Sequence, residues 1–143
     1  MERQVEKGSR MNFHESRIRV RYAETDAMGI VHHSSYIIWF EVGRTEWLEA
    51  QGYSYAEFEQ TGYHLVVTEI GARYKQPVRY GQEIVLRTRP SEVKSRAIRF
   101  DYEVLDEKSR TPLVTGFSRH ILTDHAGNVR KFPDAMWELI KNE

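Results

Sequence analysis

The stretch ETDAMGIVHHSSY, residues 24–36, gathers an acid, a glycine, two histidines and two serines immediately before an apolar run. Asp26 and Gly29 fall in a loop, and His33, Ser34 and Ser35 fall where a helix should begin. The first backbone N–H groups of a helix have no intrahelical partner and carry the positive end of the helix dipole. A carbonyl oxygen that becomes negative during acyl transfer is stabilised by such donors, by up to about 3 kcal/mol for a well-placed one. Asp26 brings a carboxylate to the same place, either as nucleophile toward the carbonyl carbon or as general base toward water. A plainer reading stands beside this one. Aspartate before glycine forms turns, serines cap helices, His33 can pack at a helix start, and Tyr22 can belong to the core of a strand.

Other chemistries fare worse. There are no cysteines among the 143 residues, which excludes a disulfide framework, thiolate metal ligation and a cysteine nucleophile. His32 and His33 are adjacent, the wrong spacing for two ligands on one helical face, and no HExxH or phosphate-cradling glycine loop occurs. GFSRH at 116–120 imitates the start of a nucleophile elbow, but His120 stands where the second glycine belongs and a long strand pattern surrounds it. Lys+Arg and Asp+Glu both number 21, so the net charge is +0 and nothing in the balance recommends nucleic acid or an anionic membrane. The arginine comb Arg17, Arg19, Arg21 reads as the wet face of a strand. No apolar run approaches the roughly 18 residues of a membrane span, and the opening lacks a signal-peptide core, so a cytoplasmic protein without membrane insertion is expected.

The elements that must position the loop are legible from periodicity. Residues 17–24 alternate Ile18, Val20 and Tyr22 against the arginines, which predicts a strand. From Ser34 or Ser35 a long helix places Tyr36, Phe40, Gly43 and Trp47 on one face, with a serine N-cap and Gly52 as its stop. Its first two turns are apolar almost all round, so it should be deeply enclosed. SYAEFEQTG adds a short helix with Ser54 and Glu57 spaced as a capping box. Period two then persists through strands near 64–76, 83–90, 96–106 and 112–123, and a short terminal helix starts near Pro133. The expectation is a single α+β domain over residues 16–143, after a flexible tail at 1–15. Five antiparallel strands would wrap a long central helix, the hotdog architecture.

RYAETDAMGIVHHSSYIIWFEVGRTEWL, from Arg21 to Leu48, resembles without a gap the signature segment of the 4-hydroxybenzoyl-CoA thioesterase family of hotdog acyl-CoA thioesterases, most closely its Tol-Pal-associated branch. The shared features are a Tyr-x-x-Thr-Asp strand end, a Gly-x-Val turn, an aromatic or histidine pair and a tyrosine entering the central helix. The resemblance implies hydrolysis of an acyl-CoA thioester with Asp26 as the catalytic aspartate. It places His33 where the backbone N–H polarises the thioester carbonyl, and where that branch carries an active histidine. Tyr22 matches a tyrosine of the branch's site. Gly29, Val31, Ser34 and Tyr36 complete the motif and are expected against substrate, with Glu41 and Arg44 supporting from the helix. Lys94, Ser95 and Arg96 stand where the family contacts coenzyme A phosphates. His32 departs from the aromatic residue common at its position. The resemblance further implies no metal or organic cofactor and a homodimer or homotetramer that completes its sites across subunits. A non-catalytic module holding an acyl-CoA or acyl-carrier conjugate is the alternative, and the histidine-centred motif of hotdog dehydratases finds no counterpart.

Overall fold

The structure is a computed structural model that describes residues 13–141. Most of the tail expected at 1–15 lies outside the described residues. Strand β1 spans His14–Arg19 and is followed by a 3-10 turn at Tyr22–Glu24. Helix α1 covers His33–Ala50 and α2 Tyr55–Gln60. Four long strands then run in sequence, β2 Tyr63–Tyr74, β3 Glu83–Lys94, β4 Ala97–Asp106 and β5 Pro112–Asp124, before α3 at Asp134–Ile140 closes the domain. The five strands form one sheet in the order β1-β3-β4-β5-β2, antiparallel throughout. This is the α+β hotdog arrangement expected from the sequence.

Alternation along β4 explains the sheet's two faces. Ile98, Phe100, Tyr102 and Val104 are buried, while Arg99, Asp101 and Glu103 stand on the wet side. Cross-strand pairs such as Arg87 with Glu103 and Arg89 with Asp101 lace that outer face. On the inner face α1 lies against β1, β3 and β4. Phe40 stacks on Tyr102 with ring centres 4.2 Å apart, and Trp47 meets Phe100 edge-on at 5.6 Å. Such burial of large rings supplies several kcal/mol of apolar transfer free energy. Close approach needs two small residues. A Cβ on Gly43 would stand 2.3 Å from Thr88 Oγ1, and one on Gly116 would stand 2.6 Å from the Phe40 ring.

Three expectations need correction. The first strand, expected at 17–24, begins at His14, where Ser16 Oγ donates to Glu46 on α1 and Glu15 meets Arg87 and Arg110. It also ends early. Glu24 Oε1 accepts the Arg21 N–H at 2.8 Å and folds residues 22–24 into the 3-10 turn, so Tyr22 is 77% exposed rather than strand core. The cap of α1 is His32, not a serine, with its ring nitrogen accepting the Ser34 N–H at 3.2 Å. Strand β3 runs four residues past its expected end, through Pro90, because the register shifts between Pro90 and Glu92 and the missing N–H falls at that irregularity.

Candidate active site

The loop carrying Asp26 is closed at its base and tied along its length. Glu24 O accepts the His32 N–H at 2.8 Å, Thr25 bridges Val31, and the Asp26 N–H donates to Ile30 O at 2.8 Å. Gly29 turns the chain at φ 78°, the left-handed region where a side chain is disfavoured, and its N–H closes the turn on Asp26 O. Outside the loop, Val31 N–H bonds Val78 O at 2.7 Å and Ile30 bridges Arg79. The segment before β3 therefore fixes the loop against the sheet.

Within this frame Asp26 Oδ1 accepts the Met28 N–H at 2.8 Å and the Ile30 N–H at 3.4 Å. Oδ2 receives no hydrogen bond among the described residues. Asp26 thus does form the turn that the plainer reading gave it, through one oxygen only. Across a cleft of about 350 Å³ stand Val31, His33 and Tyr36, with Tyr74, Lys75, Gln76 and Pro77 from the end of β2. His33 opens α1, its ring stacked on His32 at 4.1 Å. The next two backbone donors are used, Ser34 N–H by the His32 ring and Ser35 N–H by His32 O. The His33 N–H has no partner among the described residues. Tyr36 is buried between Trp39 and Tyr74, and burial pushes its hydroxyl up to about 12, with the neighbouring Tyr74 adding to the shift, so it remains a neutral phenol.

Asp26, Val31, His33 and Tyr36 therefore meet in one cleft, and the other candidates do not join them within this chain. Tyr22 sits on the far side of the loop, edge-on to Tyr80 at 5.8 Å. Gly29 shapes the turn, and Ser34 is exposed with its hydroxyl 2.8 Å from the His32 ring. Lys94, Ser95 and Arg96 form the hairpin at the other end of β3, roughly 36 Å of extended strand from the end that faces the Asp26 loop. Arg44 points to the sheet, donating to Tyr102 Oη at 3.4 Å, and Glu41 is exposed. Sequence reading missed Tyr74, Lys75, Gln76 and Pro77, because only the long-range pairing of β2 with β5 carries that strand's end to the loop. It also missed Glu24, whose sole sequence signal is its place three residues after Arg21.

A model of the thioesterase-like superfamily matches residues 20–140. The chain belongs to that superfamily. Among its relatives, "Putative acyl-CoA thioesterase YneP" of Bacillus subtilis is 44% identical over 78 residues, covering 54% of this chain and 56% of that protein. A hypothetical protein from Thermus thermophilus superposes with a TM-score of 0.84 at 37% identity, covering 89% of this chain and 96% of the other. A DHNA-CoA thioesterase from Staphylococcus aureus gives a TM-score of 0.84 at 27% identity, covering 90% and 91%. The thioesterase-like match begins at Val20 and so takes in the whole Asp26 loop and α1. Among the described residues, no helix is long and apolar enough to cross a membrane.

Proposed function

We propose that the protein hydrolyses an acyl-CoA thioester to the free acid and coenzyme A, in the cytoplasm and without a metal or organic cofactor, as a member of the 4-hydroxybenzoyl-CoA thioesterase family close to its Tol-Pal-associated branch. The observation that carries this reading is the meeting, in one cleft, of a carboxylate with an uncommitted oxygen and a helix start with an uncommitted N–H. Asp26 Oδ1 is held by two backbone donors, which leaves Oδ2 for chemistry. As general base, Oδ2 takes a proton from water whose oxygen attacks the thioester carbonyl carbon. The carbonyl oxygen becomes an oxyanion at the His33 N–H, and collapse breaks the C–S bond while the proton passes to the departing thiolate. As nucleophile, Oδ2 attacks the same carbon, expels the thiolate and forms an anhydride that water then hydrolyses. Val31, Tyr36 and Tyr74 offer apolar and aromatic surface to the acyl group.

Among the described residues that line the cleft, Lys75 is the one lysine or arginine available to the coenzyme A phosphates. β2 is a sheet edge with Val66 and Val67 exposed, and α1 exposes Ile37, Ile38 and Val42 on the solvent side. Edge-to-edge pairing of β2 in a two-fold dimer would cover these apolar residues. It would also set the start of one β2 beside the end of the other, carrying the hairpin Lys94, Ser95 and Arg96 of a second copy toward the cleft. That accounts for their distance from Asp26 within one chain.

Asp26→Asn tests the reading. Asparagine keeps the turn-forming acceptor and removes the charge, so kcat for thiol release from acyl-CoA should fall at least about 10²-fold while the thermal midpoint and substrate binding hold. A normal midpoint with near-normal kcat would leave Asp26 a turn former and favour the non-catalytic binding module.

A further inference from the structure

The charge buried behind the loop is Glu24. Its side chain is about one-tenth exposed, yet among the described residues the sole cation that it meets is the exposed Arg21, at 3.5 Å. Burying a carboxylate costs several kcal/mol unless hydrogen bonds replace water, and replacement of such a group by an apolar one is commonly neutral or stabilising. Here the bonds are specific. Oε1 accepts the Arg21 N–H at 2.8 Å, and Oε2 accepts the Trp39 Nε1–H at 2.8 Å, from the second turn of α1. The backbone oxygen of the same residue accepts the His32 N–H at 2.8 Å and the Ser35 hydroxyl at 3.3 Å. One residue thereby grips the chain before the loop, the N-cap of α1, its first turn and its second turn.

The direct hydrogen-bonded tie between the base of the Asp26 loop and α1 passes through this point, because residues 25–31 leave from Glu24 and return to His32. The remaining ties of the loop run to residues 78–80, in the connection between β2 and β3 and not in α1. We infer that Glu24 is a positioning residue for catalysis: its buried carboxylate, through Trp39, registers the Asp26 loop on α1 so that carboxylate and helix-start donor address the same carbonyl carbon. The inference rests on the proposed role of Asp26. A displacement of about 1 Å between two reacting groups can cost up to about 10²-fold in rate, which makes such a brace worth its burial.

The test is a set of rates and midpoints for Glu24→Gln, Trp39→Phe, Asp26→Asn and the double variant Glu24→Gln/Asp26→Asn. Glutamine offers one acceptor where two donors converge, and phenylalanine removes the indole donor while keeping an aromatic ring. Each brace variant, assayed well below its midpoint, should lose about 10-fold in kcat with KM within about twofold. In the Asp26→Asn background Glu24→Gln should cost less than about twofold more, since the group it positions has gone. Equal fold losses in both backgrounds, or unchanged kcat in a folded Glu24→Gln, would overturn the inference. Should Glu24→Gln not fold, Trp39→Phe decides by the same kcat criterion. The proposed chemistry is judged separately: collapse in Asp26→Asn with unaffected brace variants sinks the positioning role alone, whereas near-normal kcat in Asp26→Asn sinks both.

Discussion

Two stretches of this chain put serine beside histidine, and the structure treats them oppositely. VHHSSY opens α1 at the cleft, where His33 is exposed, its N–H has no partner among the described residues, and Asp26 lines the same cleft. GFSRH lies within β5, where Ser118 Oγ is 2.7 Å from His120 Nε2 and 2.6 Å from Tyr102 Oη, with Arg44 at the outer end of the row. By distance alone the second pair is the better nucleophile and base. It is nevertheless sealed, since Ser118 and His120 are 0% and 1% exposed beneath α1. Burial and the Arg44 charge also lower the pKa of His120 to about 3. A base that weak accepts no proton from serine near neutrality. Access and basicity, more than residue type, separate the cleft from the sealed row.

If that contrast is right, changes at the sealed row should cost stability and changes at the cleft should cost rate. Gly116→Ala is the most severe expected case. Its new methyl would meet the Phe40 ring at 2.6 Å and Gly71 O at 2.7 Å, in a stacked core that cannot yield locally. Overpacking of this kind costs about 3 kcal/mol, read as a fall of roughly 10 °C in the thermal midpoint. At the cleft, His33→Ala should lower kcat about 10²-fold if the imidazole carries a proton, with the midpoint nearly unchanged because the ring is exposed and stacks on the exposed His32. Wild-type turnover in that variant would assign the site's contribution at residue 33 to the backbone N–H alone.

The smallest effect, over the window from pH 6.5 to 5 in which it is read, is the pH signature of the sealed row. His120 binds its proton at about 3 when folded and near 6.5 when unfolded, so between those values the unfolded chain holds more protons. Stability should therefore be complete above about pH 6.5 and decline as the pH falls toward 3, by up to about 1.4 kcal/mol per unit. Denaturant melts between pH 6.5 and 5, above the main carboxylate range, isolate this contribution, and His120→Gln should flatten the slope there. A slope that survives the substitution would mean that another group in the fold is responsible.

Much of the scaffold was legible in the sequence because its signals are local. Period-two alternation in residues 97–106 and the apolar face Tyr36, Phe40, Gly43 and Trp47 both reflect burial of one side of an element, which each residue's own chemistry records. The Asp26 loop and the helix start were legible for the same reason. What was hidden depends on distant partners. Tyr74 and Lys75 enter the cleft only through the pairing of β2 with β5, and Tyr22 leaves the core because a buried glutamate bends the chain after Arg21. Lys94 to Arg96 lie at the end of β3 remote from the Asp26 loop, a fact of strand length that local chemistry does not carry.

The central claim is that thioester hydrolysis occurs at the Asp26 cleft and not at the Ser118–His120 pair. Its most direct test is kcat for release of free thiol from a panel of short, fatty and aromatic acyl-CoA thioesters, measured side by side for the wild type, Asp26→Asn and Ser118→Ala, each well below its midpoint. The expected result is a loss of at least about 10²-fold in Asp26→Asn and less than about threefold in Ser118→Ala on every thioester that the wild type cleaves. Near-normal turnover in a folded Asp26→Asn, with collapse in a folded Ser118→Ala, would contradict it.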